Sequence, residues 1–303
     1  AYAFAEIAPA VAHARHMPTH IFIQHGMWDR VSRNNEYAYT AARELWRPDE
    51  PMGDAVHPLD WGQYGDLQLG DYAKARLWME RLESMALQGR FLEGGPQGAP
   101  GQGRASTTIP LLKARYVVET EEWDVQPITS ESSMHELLAT GISAARTRDQ
   151  ATVAQAEAAL KAMAERGPNG NRSANIMAKQ VGALLHAGMG HGSVATGLMD
   201  EAEAIVEAGA DPRGAASPVK PVHELYGEIL LDLERPADAI EKFETSLQRM
   251  PNRPRSLLGL ARAYAETDNR KMAVEAYEKL IEVWEGREAF EEFKEARRYL
   301  DGC

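Results

Sequence analysis

Two stretches of the 303-residue chain superimpose without a gap when one is slid 34 residues along the other. Gly227 then falls on Ala261, Leu230 on Tyr264, Ala239 on Ala273 and Phe243 on Tyr277. Small residues let two helices approach closely while aromatic and aliphatic neighbours fill the space beside them, so this period specifies helix–turn–helix units stacked on one another. A stack grows in one dimension, which predicts a single elongated all-α body over residues 1–303 and places function on its inner surface.

The unit from Pro221 to Pro251 carries Leu225, Tyr226, Ile229 and Leu230 on a first helix. Arg235-Pro-Ala-Asp is its turn, and Ala239, Ile240, Phe243 and Leu247 form the buried stripe of a second helix. Leu257, Leu260, Ala261, Tyr264, Ala273, Tyr277 and Leu280 repeat the plan, and a polar helix over about 287–300 closes the regular part, 217–303. Looser hairpins precede it. Gly26-Met-Trp28 with Val31 and Ala38, and Gly70-Asp-Tyr72 with Ala75 and Leu82, share a Gly-x-aromatic turn 44 residues apart within a histidine-rich part, 1–90. The excess over 34 is the Pro-rich stretch from Arg47 to Gly53.

Residues 91–109 hold too much Gly and Pro for a helix or strand and read as a surface loop, with a lid over the inner surface as the alternative. The stretch ends Gly103-Arg-Ala-Ser, without the Gly-Lys-Ser/Thr of a phosphate cradle. Gly188-Met-Gly-His-Gly192 is a second, lesser lid candidate. Degenerate hairpins fill 110–216: one from Pro110 past Trp123 with Pro127 interrupting its second helix, one over Met134–Arg166, one over Ala174–Ala208. Gly141, Ala144, Val153 and Leu160 mark the second of these, and Ala183, His186, Ala195 and Met199 the third.

A formal charge of −12, with no Lys/Arg-dense run, excludes a nucleic-acid backbone as partner, because that affinity comes from cationic contacts that release counterions. Basic or metal-ion ligands fit the balance better. No apolar run approaches the ~18 residues that span a bilayer, so the chain reads as soluble, the cytoplasm being favoured over the periplasm. The sole cysteine, Cys303, excludes an internal disulfide framework. There is no Gly-x-Ser-x-Gly elbow and no dinucleotide fingerprint. Trp28, Trp61, Trp78 and Trp284 fall at apolar helical spacing and read as core. The chain opens at Ala1 directly in an apolar helical pattern, which reads as a cut or processed start and as the C-terminal part of a longer protein.

His13, His16 and His20, spaced three and four apart, fall on one face of a helix, with Pro18 expected to kink it. His223-Glu224-Leu-Tyr-Gly227-Glu228 lacks the second His that a zinc-protease helix needs, since Gly227 stands in that place.

Gly227, Leu230, Ala239, Phe243 and Pro251 occupy in order the motif positions of the tetratricopeptide repeat, which residues 221–285 therefore resemble. The resemblance implies an α-solenoid of stacked hairpins wound into a right-handed superhelix, whose first helices line a concave groove. Registered on Gly26, that rule puts His13, His16 and His20 in the groove, and registered on Gly70 it puts His57, Asp60 and Tyr64 there. Gln24 and Gln68 are counted with these rows. Toward the C-terminus His223, Glu224, Glu228, Asp232, Arg255, Arg262 and Glu266 line the same face. The strings His16-Met-Pro-Thr-His-Ile, His57-Pro-Leu-Asp60 and Lys220-Pro-Val-His-Glu-Leu-Tyr-Gly-Glu resemble a mostly bacterial group of such repeat proteins, a likeness that brings no reaction with it.

The first reading is therefore a scaffold that holds a peptide, a partner protein or a small ligand in its groove. The alternative is a metalloprotein or metal-dependent enzyme with His16, His20, His57 and Asp60 around Zn, Fe, Mn or Cu, since His and Asp groups converging from adjacent helices suit those ions. For the histidines taken alone, ordinary polar side chains bonded to carboxylates or water is the simpler reading, and a metal-free acid/base role is a third.

Overall fold

The computed structural model describes residues 8–47, 55–88, 102–166 and 170–302, and every regular element of more than one residue among them is an α-helix. Contacts divide the chain into two compact units, Ala1–Tyr116 with Arg213–Ala215 and Val117–Pro212 with Ala216–Cys303. Unit 1 contains α1 (Ala12–His16), α2 (Thr19–Gln24), α3 (Trp28–Leu45), α4 (Val56–Gln68), α5 (Tyr72–Gln88) and α6 (Gln102–Thr120) as far as Tyr116. Unit 2 contains α7 (Met134–Arg146), α8 (Gln150–Ala164), α9 (Arg172–Gly188), α10 (Gly192–Glu207) and α11 (Val222–Asp232). It continues with α12 (Pro236–Arg249), α13 (Pro254–Glu266), α14 (Arg270–Val283) and α15 (Glu291–Asp301).

One corner is used over and over. Gly26, Gly70, Arg148, Gly190, Glu234 and Asp268 each end the first helix of a hairpin with φ between 56° and 77°. In each case the next residue's amide bonds the carbonyl five residues back: Met27 to Phe22, Asp71 to Asp66, Asp149 to Ala144, His191 to His186, Arg235 to Leu230 and Asn269 to Tyr264, at 2.8–2.9 Å. A left-handed residue at this place satisfies helix-end carbonyls and reverses the chain. Arg148, Glu234 and Asp268 hold it without being glycine, at a cost of about 1 kcal/mol each. The hairpins so formed pack in sequence, α3 on α4 in unit 1 and α8 on α9, α10 on α11 and α12 on α13 in unit 2. First helices also touch first helices, α7 with α9, α9 with α11 and α11 with α13.

Packing explains the small residues of the repeat. The ring of Phe243 is fully buried, and a Cβ on Gly227 would stand 2.7 Å from it. On Gly259, in the next hairpin, a Cβ would stand 2.2 Å away, so both helices approach the ring only as glycine. In unit 1 Tyr39, Trp46, Leu59, Trp78, Leu82, Met85 and Leu112 form the core. Trp28, Trp61 and Trp284 are buried as expected.

Several expectations are corrected. The loop expected over 91–109 is helical from Gln102 onward. The hairpin expected from Pro110 past Trp123 is instead one long helix, α6, with Pro110 inside it, and the described chain from Glu121 to Ser133 forms no second helix. Gly188–Gly192 is the tight α9–α10 corner rather than a lid. The terminal helix begins at Glu291. Ala1–Ile7, the Pro-rich stretch after Arg47, the Gly-rich segment up to Gly101, and Cys303 lie outside the described residues. No helix among the described residues is long and apolar enough to cross a membrane.

Candidate functional site

Pro18 shapes the histidine pocket of unit 1. It divides the expected continuous helix into α1 and α2, and across the break the His20 amide bonds the Met17 carbonyl at 3.2 Å. The Thr19 hydroxyl donates to the His16 carbonyl at 2.6 Å, satisfying a carbonyl that an unbroken helix would have used. The bend packs the His16 ring 5.1 Å from His20, while α4 brings His57 to within 4.3 Å of His16, centre to centre. Trp61 walls the group, its ring 4.5–5.0 Å from all three imidazoles.

The tautomer of His16 follows from its neighbour. Asn35 donates its amide Nδ2 to the Val31 carbonyl at 2.8 Å, which leaves Oδ1 facing His16 Nδ1 at 2.7 Å. An oxygen there can only accept, so Nδ1 carries the proton and Nε2 holds a lone pair. His16 is 2% exposed, and among the described residues its Nε2 has no hydrogen-bond partner. A buried polar atom left so costs roughly 1–3 kcal/mol. Burial holds the His16 pKa down to about 4 despite the Asn35 bond, with the His57, His20 and His13 charges adding to the effect. Burial and the His13 charge also lower His20. Both imidazoles are neutral at pH 7.

One nitrogen from each of His16, His20 and His57 lies within 4.8 Å of the other two, a set that could hold a metal ion. A cavity of about 460 Å³ opens beside it, lined by His13, His16, His57, Asp60 and Thr108 among others. Asp60 stands outside the nitrogen set, its carboxylate accepting from the buried Arg115 guanidinium at 2.7 Å.

Unit 2 has a cavity of about 410 Å³. Its walls come from α7 (Arg146), α11 (Glu228, Asp232), α13 (Arg255, Arg262, Glu266), α15 (Glu292) and the segment after α6 (Glu121, Trp123). Arg146 pairs with Glu228 at 2.8 Å and Asp232 at 3.3 Å, Arg255 with Glu292 at 2.8 Å and Arg262 with Glu295 at 2.7 Å. Burial raises the Asp232 pKa, and the Glu228 charge adds to this while Arg146 opposes it.

Of the residues expected in the groove, His13, His16, His57 and Asp60 line the first cavity, and Glu228, Asp232, Arg255, Arg262 and Glu266 line the second. Gln24 is exposed and lines neither. Tyr64, Gln68 and Glu224 are corrected, being buried. Tyr64 stacks edge-on against Trp28. Glu224, 0% exposed, accepts from Lys220, Arg253 and Ser256. His223 is buried beside Glu203 and Glu207, 3.3 Å from each, and belongs to neither cavity. Asn35, Trp61, Arg115, Trp123 and Arg146 are site residues that sequence reasoning does not find. Only tertiary packing brings them there, and no spacing in the sequence marks them.

Residues 230–283 match the tetratricopeptide-repeat family model. The match spans the end of α11 through α14, the two regular hairpins. A solved structure described as the crystal structure of the P58(IPK) TPR domain at 2.5 Å aligns over 98% of this chain and 81% of its own. Sequence identity is 15% and the TM-score 0.32. No curated protein matches the sequence.

Proposed function

We propose that unit 2 is a binding scaffold whose cavity between α7, α11 and α13 holds a peptide segment of a partner protein rich in basic side chains. One observation carries this reading: the first helices of three hairpins converge on a single cavity whose walls bear Glu121, Glu228, Asp232, Glu266 and Glu292 against three arginines already engaged with carboxylates. The surplus is negative, as is the chain at −12. Trp123, half-buried in the wall, adds an aromatic side chain of the kind that attracts lysine and arginine, and Leu231 and Leu258 add apolar lining. The match to a repeat family over the same hairpins supports a role in holding a partner.

A panel of fluorescent peptides of systematically varied charge tests this by anisotropy. Basic peptides should bind, weakening as salt rises, and Asp232→Lys with Glu266→Lys should reduce affinity at least tenfold. Preference for acidic or uncharged peptides, or affinity unchanged in the double variant, would refute it.

A further inference from the structure

We propose that the histidine pocket of unit 1 binds a divalent transition metal through His16, His20 and His57, with a coordination position left open toward the neighbouring cavity. This goes beyond the peptide-binding role and does not depend on it, since every residue involved belongs to unit 1.

Two independent observations converge. The first is the set itself, three imidazoles from α1, α2 and α4 each presenting a nitrogen within 4.8 Å of the others. Nitrogens around a tetrahedral ion at 2.0–2.1 Å stand roughly 3.3 Å apart. The half-buried His20 and exposed His57 can close that difference by side-chain rotation while the buried His16 stays fixed. The second is the Nε2 of His16, a deeply buried lone pair without a hydrogen-bond partner among the described residues. A core histidine that served only to fill space would have both nitrogens satisfied. Here one nitrogen is held by Asn35, itself fully buried and anchored on the Val31 carbonyl, and the other is left available. Metal-ligating histidines have this arrangement, in which a hydrogen bond to the far nitrogen fixes ring orientation and tautomer.

The donor set limits the ion. Three neutral nitrogens with no thiolate suit Zn, Co, Ni, Cu or Fe(II) and do not suit Mg or Ca, which prefer oxygen. Three protein ligands leave a tetrahedral ion one position short, the pattern of sites that bind water or an exchangeable ligand rather than of closed structural sites. The ion would keep its full charge of two. A water, hydroxide or small anion therefore fits the fourth position, with the cavity beside His16 and His57 as its space.

The test uses the full chain, purified without a metal-affinity step, stripped with chelator and titrated with Co²⁺. Visible absorption and tryptophan fluorescence are both followed. One equivalent should bind, quenching a component of the emission that Trp61→Phe removes. His20→Ala and His57→Ala, which change less buried positions and should melt like the parent, should each weaken binding at least 100-fold. Asn35→Ala should weaken it 10–100-fold, whereas His223→Gln should leave it within about threefold. Azide should shift the Co²⁺ bands. Absence of saturable binding, or binding that survives both His20→Ala and His57→Ala, overturns the site. Bands unmoved by azide overturn the open position.

Discussion

Glu224→Gln keeps the shape of a buried side chain and removes its charge, so its cost isolates what that charge does for unit 2. Glu224 Oε1 accepts from Lys220 Nζ at 3.0 Å and Arg253 Nη2 at 2.9 Å, and Oε2 accepts from Arg253 Nε and the Ser256 hydroxyl, both at 2.6 Å. Gln offers one oxygen and one NH₂ group, so one pair of these donors must face another donor. Arg253 is 0% exposed and cannot turn to water, although Glu119 still pairs with its Nη1 at 2.8 Å. Removing one partner of such a buried pair costs about 3–5 kcal/mol. That corresponds to a melting-temperature drop of roughly 6–20 °C for a unit of this size. Burial works against the carboxylate, but the Arg253 and Lys220 charges and the Arg253 and Ser256 hydrogen bonds outweigh it and hold the Glu224 pKa well below the usual carboxylate range. A depressed pKa contributes stability that is complete above the unfolded value and is lost progressively as pH falls from there through the folded one. The gap between parent and variant should thus be constant from pH 8 to pH 5 and narrow progressively below that. Thermal unfolding by circular dichroism measures it, with Glu266→Gln as a surface control expected to change stability by less than about 0.5 kcal/mol. A loss below about 1 kcal/mol at pH 7, or a gap that closes already between pH 7 and pH 5, would refute the reasoning.

Gly259→Ala places a methyl 2.2 Å from the Phe243 ring and should cost about 1–3 kcal/mol, most of it recovered when Phe243→Leu makes room. Unchanged melting of the single variant would show that the helices separate freely. In the metal-free protein, stability should fall as pH drops below 6.5, because the unfolded chain then takes up a proton that folded His16, held to about 4, does not. The loss attributable to His16 reaches about 3 kcal/mol near pH 4, and urea unfolding at stepped pH should show a shallower slope in His16→Gln.

Much of the hairpin plan was readable because its causes are local. Gly26, Gly70 and Gly190 announce their corners, being the residue type that adopts φ > 0 freely. Arg148, Glu234 and Asp268 perform the same turn without that signal, and only the 34-residue offset between the last two betrays them. The long α6 was hidden by the glycines before it and by Pro110 within it. For the pocket, the three-and-four spacing of the histidines revealed that they share a face. Asn35, which fixes the tautomer, lies 19 residues from His16, and Arg115 lies 55 from Asp60, separations at which sequence spacing says nothing about contact. Register places Tyr64, Gln68 and Glu224 on an open face because it gives the direction of a side chain and not what covers it. In α4 that covering comes from more than one side, α3 and α5 packing on it while Gln63 donates to the Leu112 carbonyl of α6.

Phe243 belongs to one hairpin in the sequence but is wedged against glycines of two. Neither member of the C-terminal pair can therefore be excised intact. A truncation between α12 and α13 would bare an aromatic ring on one fragment and an empty slot on the other, so shortened versions of this region should keep both hairpins together.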